Sequence, residues 1–555
     1  MKEINDETNE QFISELTSHK DTDYSLWKAT KYLKRPISYA SPIMSGNGKW
    51  ARNNQDKATT FADHLEQIFT PQPAAGGEDN LQNTPPIDPE VVIPPTTIKE
   101  VKRTINTEIN SKKAPGYDLI TGLILKQLPR KVIAKITMII NAVFKLRCVP
   151  QLWKIAEVIM IPKPGKPPEN PSSYRPISLL PVLSKLFEKL LHRRLMPIVE
   201  GRKLIPQHQF GFRQKHSTID QVHRITNIIE KALEEKKVCS AIFLDVAQAF
   251  DKVWHEGLNF KLRSVLPARY AELLQSYLSN RYFRIKQEDA YSEPRMIKAG
   301  VPQGSVLGPL LYVLYTSDLP EIEPNTIATF ADDTAVLAIG DDNMESIANL
   351  NRSITRIQQW TAKWRIKLNE TKSVHVDFTN KKINYIPAHL SGKVIPYSNE
   401  AKYLGMTLDA RLRWKAHVKK KKEELLLKFR KMYWLMGRRS KLSIQNKLTL
   451  YNQVLKPVWT YGAQLWGCTA QSNRDLIQRF QNNVLRNVVN APWYFRNDRL
   501  HQELHIETVN EAIKRQAVRH LKRLRSHVNE EAVRLLDTSD IVRRLKRTKP
   551  LELAR

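Results

Sequence analysis

Two adjacent carboxylates, Asp332 and Asp333, are the residues of this chain best suited to chemistry. They lie between two short β-prone runs, residues 327–330 and 334–339, where the pattern predicts a tight hairpin. Two carboxylates side by side in an apolar hairpin repel each other and lose hydration unless a cation neutralises them. Such oxygen ligands suit Mg²⁺, which binds carboxylates together with substrate phosphates. Taken alone, the pair is also typical of an ordinary solvated turn.

A third carboxylate, Asp245, ends an apolar, β-branched run at residues 241–244 that predicts a buried strand. A lone Asp in this position usually caps a strand or forms a turn. Placed near Asp332, however, it would complete a carboxylate set able to hold two Mg²⁺ ions about 3.5–4 Å apart. Two such ions activate an attacking 3′-hydroxyl and stabilise the leaving pyrophosphate of an in-line phosphoryl transfer.

A glycine-punctuated loop, residues 299–308, lies between these carboxylates in the sequence and leads into an apolar helix ending near Tyr315. Glycine allows the backbone to approach a ligand closely, and a helix start offers free N–H groups to a phosphate or a base. An ordinary loop-to-helix junction also explains these glycines.

The order of these three segments resembles the palm of reverse transcriptases, specifically those of jockey-like non-LTR retrotransposons. The resemblance covers roughly residues 110–410, although Tyr117 stands where the family commonly has proline. Further segments that match family motifs in the expected order are residues 113–118, 159–166, 174–180, 209–218, 368–373 and 402–405.

The resemblance implies an α+β fold of the right-hand polymerase type, with fingers, an antiparallel-sheet palm and a helical thumb. The palm sheet would carry Asp245 and the Asp332 hairpin. The predicted segments are an N-terminal helical extension (1–70), a proline-rich linker (71–96), an N-terminal reverse-transcriptase extension (97–142), fingers and palm (143–409), and a basic helical thumb with the C-terminal region (410–555).

The resemblance also implies a role for each matching residue. Asp245, Asp332 and Asp333 would hold two Mg²⁺ ions together with the backbone carbonyl of Val246. Phe250 would exclude a ribose 2′-hydroxyl, although an ordinary core aromatic is the alternative, and Lys166 competes with Lys163 for its role. Lys163 and Arg175 would bind the triphosphate, and Lys372 would protonate the pyrophosphate. Gln303 and Gly304 would contact the nascent base pair and the template. The primer would be positioned by Tyr403, Leu404 and Gly405.

The implied activity is an RNA-directed DNA polymerase that extends a DNA primer on an RNA template with dNTPs. An RNA-dependent RNA polymerase shares the Asp-Asp pair, but Phe250 and the sequence Phe-Ala-Asp-Asp disfavour it. A decayed or truncated element product that only binds RNA stays open, although all three aspartates are intact. Residues 1–142 are too few for a typical endonuclease domain, and neither an RNase H carboxylate cluster nor a Cys/His knuckle is evident. We therefore expect a polymerase piece.

The composition is strongly basic, with 88 Lys and Arg against 56 Asp and Glu and a net charge of +32. This excess predicts salt-dependent binding to nucleic-acid phosphates. Neither a membrane span nor a signal peptide is expected, and three scattered cysteines fit a reducing compartment. The family's chromosomal target implies a nuclear location, supported by the run 419–422 of four lysines, with a cytoplasmic ribonucleoprotein stage. The oligomeric state stays open.

Overall fold

The structure is a computed structural model that describes residues 10–21, 23–33, 41–46, 48–73, 85, 87–537 and 543–554. The described residues contain fifteen strands: β1 (Ile43–Met44), β2 (Trp50–Ala51), β3 (Ile155–Pro162), β4 (Tyr174–Leu179), β5 (Val238–Leu244), β6 (Arg281–Gln287), β7 (Ala290–Tyr291), β8 (Arg295–Ile297), β9 (Thr326–Phe330), β10 (Asp333–Gly340), β11 (Val374–Phe378), β12 (His389–Leu390), β13 (Lys393–Val394), β14 (Glu400–Tyr403) and β15 (Met406–Asp409).

Helices connect and cover these strands. The α-helices with assigned bounds are Ser25–Ala29, Asn54–Ile68, Ile98–Glu108, Gly122–Lys126, Arg130–Leu146, Val182–Gly201, Thr218–Glu234, His255–Val265, Ala268–Leu278, Gly308–Tyr315, Asn343–Lys363, Lys415–Lys431, Tyr433–Met436, Ile444–Leu450, Lys456–Thr460, Ala463–Trp466, Gln471–Val489, Asn497–Glu503, Val509–Arg525 and Glu530–Val533.

A four-stranded antiparallel sheet with the order β11-β5-β10-β9 forms the palm. Every residue of β5 is buried because both faces of the sheet are covered, which explains its continuous apolar sequence. Alternate residues point to opposite faces: Phe243 packs with helix Thr218–Glu234, whereas Ile242 and Leu244 pack with helix Asn343–Lys363. The α+β class and the antiparallel palm sheet are therefore confirmed.

A second, five-stranded sheet has the order β4-β3-β6-β7, with β8 also paired to β6. It is mixed, because β3 and β6 run parallel while the other pairs are antiparallel. Strands β3 and β4 precede Asp245 in the chain, whereas β6, β7 and β8 follow it. Helix Asn54–Ile68 packs on this sheet through Phe61 and Leu65. The sequence analysis did not predict this joining of distant segments.

Beyond β15 the described residues form helices joined by loops, with no strand among them. The aromatic side chains Tyr451, Trp459 and Trp466 of this C-terminal part are fully buried and share one hydrophobic core with the palm strands. No helix among the described residues is long and apolar enough to cross a membrane. Residues 74–84 and 86 of the predicted linker lie outside the described residues, and the five segment boundaries stay predictions.

Candidate active site

The hairpin β9–β10 places Asp332 in a two-residue turn. Phe330 pairs with Asp333 across the hairpin, so the turn consists of Ala331 and Asp332 alone. Ala331 has φ +59°, the left-handed conformation that such short turns require. The tight hairpin predicted from the two short β-prone runs is therefore confirmed, with Asp332 half-buried at its tip and Asp333 opening β10.

A neighbouring segment holds this turn in place. The buried side-chain oxygen of Gln209 accepts hydrogen bonds from the N–H groups of Gly211 (2.7 Å) and Ala331 (2.9 Å). Phe210 donates its N–H to the carbonyl of Thr329 at 3.0 Å. A Cβ atom on Gly211 would lie 2.2 Å from the nitrogen of Ala331, so only glycine allows this close approach. The motif 209–211 thus supports the hairpin that carries Asp332, a role that the sequence analysis missed.

Asp245 directly follows β5, the strand that pairs with β10, so it lies beside the hairpin. Its carbonyl accepts the N–H of Asn369 at 2.7 Å, and its own N–H donates to the hydroxyl of Ser373 at 3.2 Å. The ammonium nitrogen of Lys372 is 3.6 Å from a carboxylate oxygen of Asp245. The segment 368–373, which contains Lys372, is thereby anchored to Asp245, the residue whose carboxylate we expect to bind metal.

The three aspartates crowd one another electrostatically. Burial and the charge of Asp245 raise the pKa of Asp332. Loss of water around its carboxyl, and then the charges of Asp332 and Asp245, raise the pKa of Asp333 to about 6. Such mutual repulsion is what a bound cation would relieve, and oxygen-only ligands suit a hard divalent ion. Across the described residues, however, no group of three or more His, Cys, Asp or Glu side chains is close enough to form a complete metal site by itself.

A cleft of about 1130 Å³ opens in front of these carboxylates. The glycine loop forms part of its wall: Ser178 of β4 donates its N–H to the carbonyl of Gln303 at 2.9 Å, and Gly304 has φ +113°. Asp333, Gly304 and residues 403–405 lie outside the lining. The predicted site residues that line the cleft are Asp245, Val246, Asp332, Lys163, Arg175, Phe250, Gln303 and Lys372.

Basic side chains line the same cleft as the carboxylates. The ammonium group of Lys163 donates to the carbonyl of Ser172 at 2.8 Å. Burial and the charges of Arg175, Lys372 and Lys166 lower the pKa of Lys163. Four cations therefore surround one region of the cleft, an arrangement that favours a multiply charged anion such as a triphosphate.

Phe250 lies in the wall of the cleft and packs against two other aromatic rings. It stacks on Tyr312 with centroids 4.6 Å apart and 23° between the planes, and it meets the ring of Phe212 edge-on at 5.8 Å. The side chain is half-buried, so the ring is held rigidly and still borders the cleft. This placement is compatible with a steric barrier to a larger sugar.

Two buried carboxylates hold the glycine loop, and the sequence analysis assigned neither. Asp251 accepts a hydrogen bond from the amide of Gln303 at 2.8 Å, and burial raises its pKa to about 6. Glu188 accepts from the N–H groups of Val306 (2.5 Å) and Leu307 (3.2 Å) at the start of helix Gly308–Tyr315. Burial raises the pKa of Glu188 as well. The available signal for Glu188 was one acidic residue within an otherwise apolar helix face.

The hairpin β14–β15 carries the predicted primer-positioning residues. Leu404 and Gly405 form its turn with φ +45° and +79°. The hydroxyl of Tyr461 in the C-terminal part donates to the carbonyl of Leu404 at 2.7 Å. The buried ring of Tyr403 packs against Phe243 of β5, with centroids 5.4 Å apart. This turn is therefore anchored both to the palm sheet and to the C-terminal helices.

Comparisons with known proteins agree with this geometry. The model of the reverse transcriptase (RNA-dependent DNA polymerase) family matches residues 161–408. The chain is 40% identical to the probable RNA-directed DNA polymerase from transposon BS of Drosophila melanogaster, over 99% of this chain and 62% of that protein. It is 41% identical to the corresponding protein from transposon X-element of the same fly, over 96% and 60%.

A third relative is the RNA-directed DNA polymerase from mobile element jockey of Drosophila melanogaster, 36% identical over 98% of this chain and 61% of that protein. The chain thus spans 60–62% of the length of these curated relatives. Among solved structures, apo telomerase from Candida tropicalis aligns with 69% of this chain and 68% of its own, at 11% identity and a TM-score of 0.36.

Proposed function

We propose that this chain, whose residues 161–408 match the reverse transcriptase family, is the RNA-directed DNA polymerase of a jockey-like non-LTR retrotransposon. Its fold is that of a right-hand polymerase, and members of this family act on RNA templates and DNA. One observation carries the proposal: Asp245 and Asp332, brought together by adjacent strands, line one cleft together with Lys163, Arg175 and Lys372. That arrangement suits the transfer of a nucleotide from a triphosphate to a primer 3′-hydroxyl.

Reverse transcriptases generally use divalent metal ions. Here Asp245, Asp332, Asp333 and the carbonyl of Val246 would hold two Mg²⁺ ions, which when bound neutralise developing charge and activate the 3′-hydroxyl. Because no complete protein cage is present among the described residues, substrate phosphates and water would supply the remaining ligands. The carboxylates must be ionised for this purpose, so the raised pKa of Asp332 and the pKa of about 6 for Asp333 make metal binding stronger as the pH rises.

The other cleft residues would bind and orient the substrates. Lys163 and Arg175 would hold the incoming dNTP through its triphosphate. Lys163 would act through a single ammonium charge, and Arg175 would donate two parallel N–H bonds. Phe250 would oppose a ribose 2′-hydroxyl at the sugar. Lys372, placed beside Asp245, would donate a proton to the departing pyrophosphate.

Three further roles concern the nucleic acid strands and the place of action. Gln303 and Gly304 would contact the nascent base pair and the template. The turn at residues 403–405 would position the primer end. We place this activity in the nucleus, where a chromosomal target lies, after a cytoplasmic ribonucleoprotein stage.

Primer extension by the purified chain tests the proposal. We would compare the wild type with Asp332→Ala and with the surface control Asp289→Ala, on an RNA template with a DNA primer, dNTPs and Mg²⁺. Asp289 is exposed in the turn between β6 and β7, so its loss removes a carboxylate of the same type far from the cleft lining. We expect extension by the wild type and Asp289→Ala only.

The remaining outcomes separate the alternatives. Intact template–primer binding without extension by any of the three proteins would indicate a decayed element product that only binds RNA. Extension by Asp332→Ala at the wild-type rate would show that the metal assignment is wrong. Replacing dNTPs by ribonucleotides in the same assay distinguishes a DNA polymerase from an RNA polymerase.

A further inference from the structure

The N-terminal helix Asn54–Ile68 forms part of the wall of the candidate active-site cleft. His64, Ile68 and Gln72 line this cleft together with the carboxylates and the basic side chains described above. His64 and Ile68 are four residues apart, so they lie on the same face of the helix. The match to the reverse transcriptase family begins only at residue 161, so it gives this helix no role.

The helix packs against the hairpin β3–β4, which ends beside Lys163. The ring of Phe61 meets the ring of Tyr174 edge-on, with centroids 4.9 Å apart. Tyr174 pairs with Pro162 across the hairpin, and Lys163 directly follows that pair. His64 comes three positions after Phe61 and therefore lies on the same side of the helix. This packing places His64 in the same region of the cleft as Lys163.

The end of the helix is fixed to the palm side of the cleft. The carbonyl of Phe69 accepts the N–H of Ala299, the first residue of the glycine loop, at 2.8 Å. The ammonium group of Lys252 donates to the carbonyls of Gln67 (2.9 Å) and Thr70 (2.8 Å). Because the helix is attached at both sides of the cleft, the side chains that it presents to the cleft are preorganised.

His64 is available for a hydrogen bond to a ligand. Within the part of the chain that the structure describes, its imidazole forms no hydrogen bond. Burial and the charge of Lys163 lower the pKa of His64, so the ring is neutral at pH 7 and one ring nitrogen carries a proton to donate. The nearby carboxylates Asp63 and Glu66 both pair with Arg295, at 2.9 and 3.0 Å, and do not line the cleft.

We propose that His64 donates a hydrogen bond to a phosphate oxygen of the incoming nucleotide beside Lys163, so that the N-terminal helix completes the triphosphate site. This inference rests on the proposed function, which supplies the nucleotide as the occupant of the cleft. A neutral imidazole suits the position, because it adds a donor without adding a further positive charge to the four cations already there. Phosphates of the template strand have the same chemistry, and the experiment separates the two sources.

The experiment measures dNTP binding without catalysis. The full chain is combined with an RNA template, a dideoxy-terminated DNA primer, Mg²⁺ and the next complementary dNTP, and the Kd for this dNTP is determined. The Kd for the template–primer alone and the KM and kcat for extension of an ordinary primer are measured in parallel. The proteins are the wild type, His64→Ala, His64→Lys and the control Gln67→Ala.

His64→Ala should raise the Kd and the KM for dNTP about tenfold, because a hydrogen bond to a charged phosphate is lost. The kcat and the template–primer Kd should stay close to the wild-type values. His64→Lys again offers a donor to the phosphate and should restore dNTP affinity. Gln67 is exposed on the same helix and is bonded through its main-chain carbonyl, so Gln67→Ala should behave like the wild type.

Failure of this inference can be told apart from failure of the proposed function. Unchanged dNTP affinity in His64→Ala, with normal extension by the wild type, would overturn the role of His64 and leave the polymerase activity intact. A raised Kd for template–primer alone would assign the contact to the template and overturn it as well. A fall in kcat alone that His64→Lys does not restore would make His64 a packing residue. Binding of dNTP that depends on His64, in a chain that extends no primer, would support the site and refute the proposed activity.

Discussion

The position of the Phe250 ring in the cleft wall is expected to determine which sugar the site accepts. Its stacking on Tyr312 fixes the ring, so an added ribose hydroxyl cannot push it aside without breaking that contact. We expect Phe250→Ala to raise the ratio of kcat/KM for ribonucleotides to that for deoxyribonucleotides by about tenfold or more, while extension with dNTPs stays measurable. Single-nucleotide incorporation kinetics with matched ribo- and deoxyribonucleoside triphosphates measure this ratio.

The matched control is Tyr312→Phe, which keeps the ring beneath Phe250 and removes only a hydroxyl. This variant should retain the wild-type preference for deoxyribonucleotides. Unchanged sugar selectivity in Phe250→Ala would show that Phe250 is an ordinary core residue. Its partly buried packing against the hydrophobic core is compatible with that role as well.

At the scale of elements, the β9–β10 hairpin depends on a segment more than a hundred positions away in the sequence. Replacing Gln209 by Ala leaves the buried N–H of Ala331 without its acceptor, at a cost of about 1–3 kcal/mol. The turn would shift, and with it Asp332. We expect kcat to fall by up to about 100-fold while the affinity for template–primer changes little. Steady-state extension kinetics and a binding titration separate the two effects.

Gln214→Ala is the control for this prediction, because Gln214 is exposed in the loop that follows. It should behave like the wild type. A normal kcat in Gln209→Ala would mean that the hairpin holds its shape without the amide, and the supporting role of the motif 209–211 would be wrong.

A group of buried histidines joins helix Thr218–Glu234 to the C-terminal helices. His223 is 3.0 Å from His520, with Asp220 and Arg523 nearby, and burial lowers its pKa from 6.5 to about 4. The unfolded chain therefore binds this proton below pH 6.5 while the folded chain does not. Stability from His223 is complete above that pH and is lost as the pH falls toward 4.

We expect the wild type to lose about 2 kcal/mol more than His223→Gln in free energy of unfolding between pH 7 and pH 5. Urea denaturation at the two pH values measures the difference, with exposed His389→Gln as the control. The charge of His223 also lowers the pKa of His520, so the measured difference reports this histidine pair as a unit. If the wild type and His223→Gln lose the same free energy of unfolding between pH 7 and pH 5, protonation of His223 does not weaken this contact.

These contacts also show what one sequence can and cannot predict. The Asp332 hairpin was predictable because two short β-prone runs that flank a pair of turn-forming residues are a local property of the sequence. The hydrogen bond from Ala331 to Gln209 and that from Val306 to Glu188 join residues far apart in sequence, and no local pattern encodes such a pairing. The mixed sheet was missed for the same reason. The roles of individual residues were predicted from the order of the family motifs. That order matches residues to the family, but it does not show which other residues hold them in position.

Across the whole molecule, the C-terminal helices are part of the structure that holds the catalytic hairpin. Phe210 forms one buried cluster with Leu524, Ala532 and Leu535, and Phe330 at the end of β9 packs against this cluster. Tyr461 holds the turn of the β14–β15 hairpin. The palm and the C-terminal helices thus share one core, so a displacement of the C-terminal helices would be transmitted to the hairpin that carries Asp332.

Charge is the other property that belongs to the whole molecule, and helix Lys415–Lys431 carries its densest run of lysines. Lys420 pairs with Glu400 and Lys421 with Glu424, whereas Lys419 and Lys422 have no carboxylate partner among the residues described. Only the unpaired two are free to neutralise phosphates and release counterions. We expect Lys419→Gln/Lys422→Gln to reduce the slope of log K against log salt for template–primer binding by up to about 0.9 per lost contact.

The control is Lys420→Gln/Lys421→Gln, which removes the same net charge from the same helix but takes it from ion pairs. Binding titrations over a range of salt concentrations should therefore show a smaller change of slope for this variant. Equal reductions in both variants would mean that the helix acts through its net charge and not through individual phosphate contacts. An unchanged slope in both would leave the run as a solvated face or a localisation signal, and the duplex would have to be gripped elsewhere.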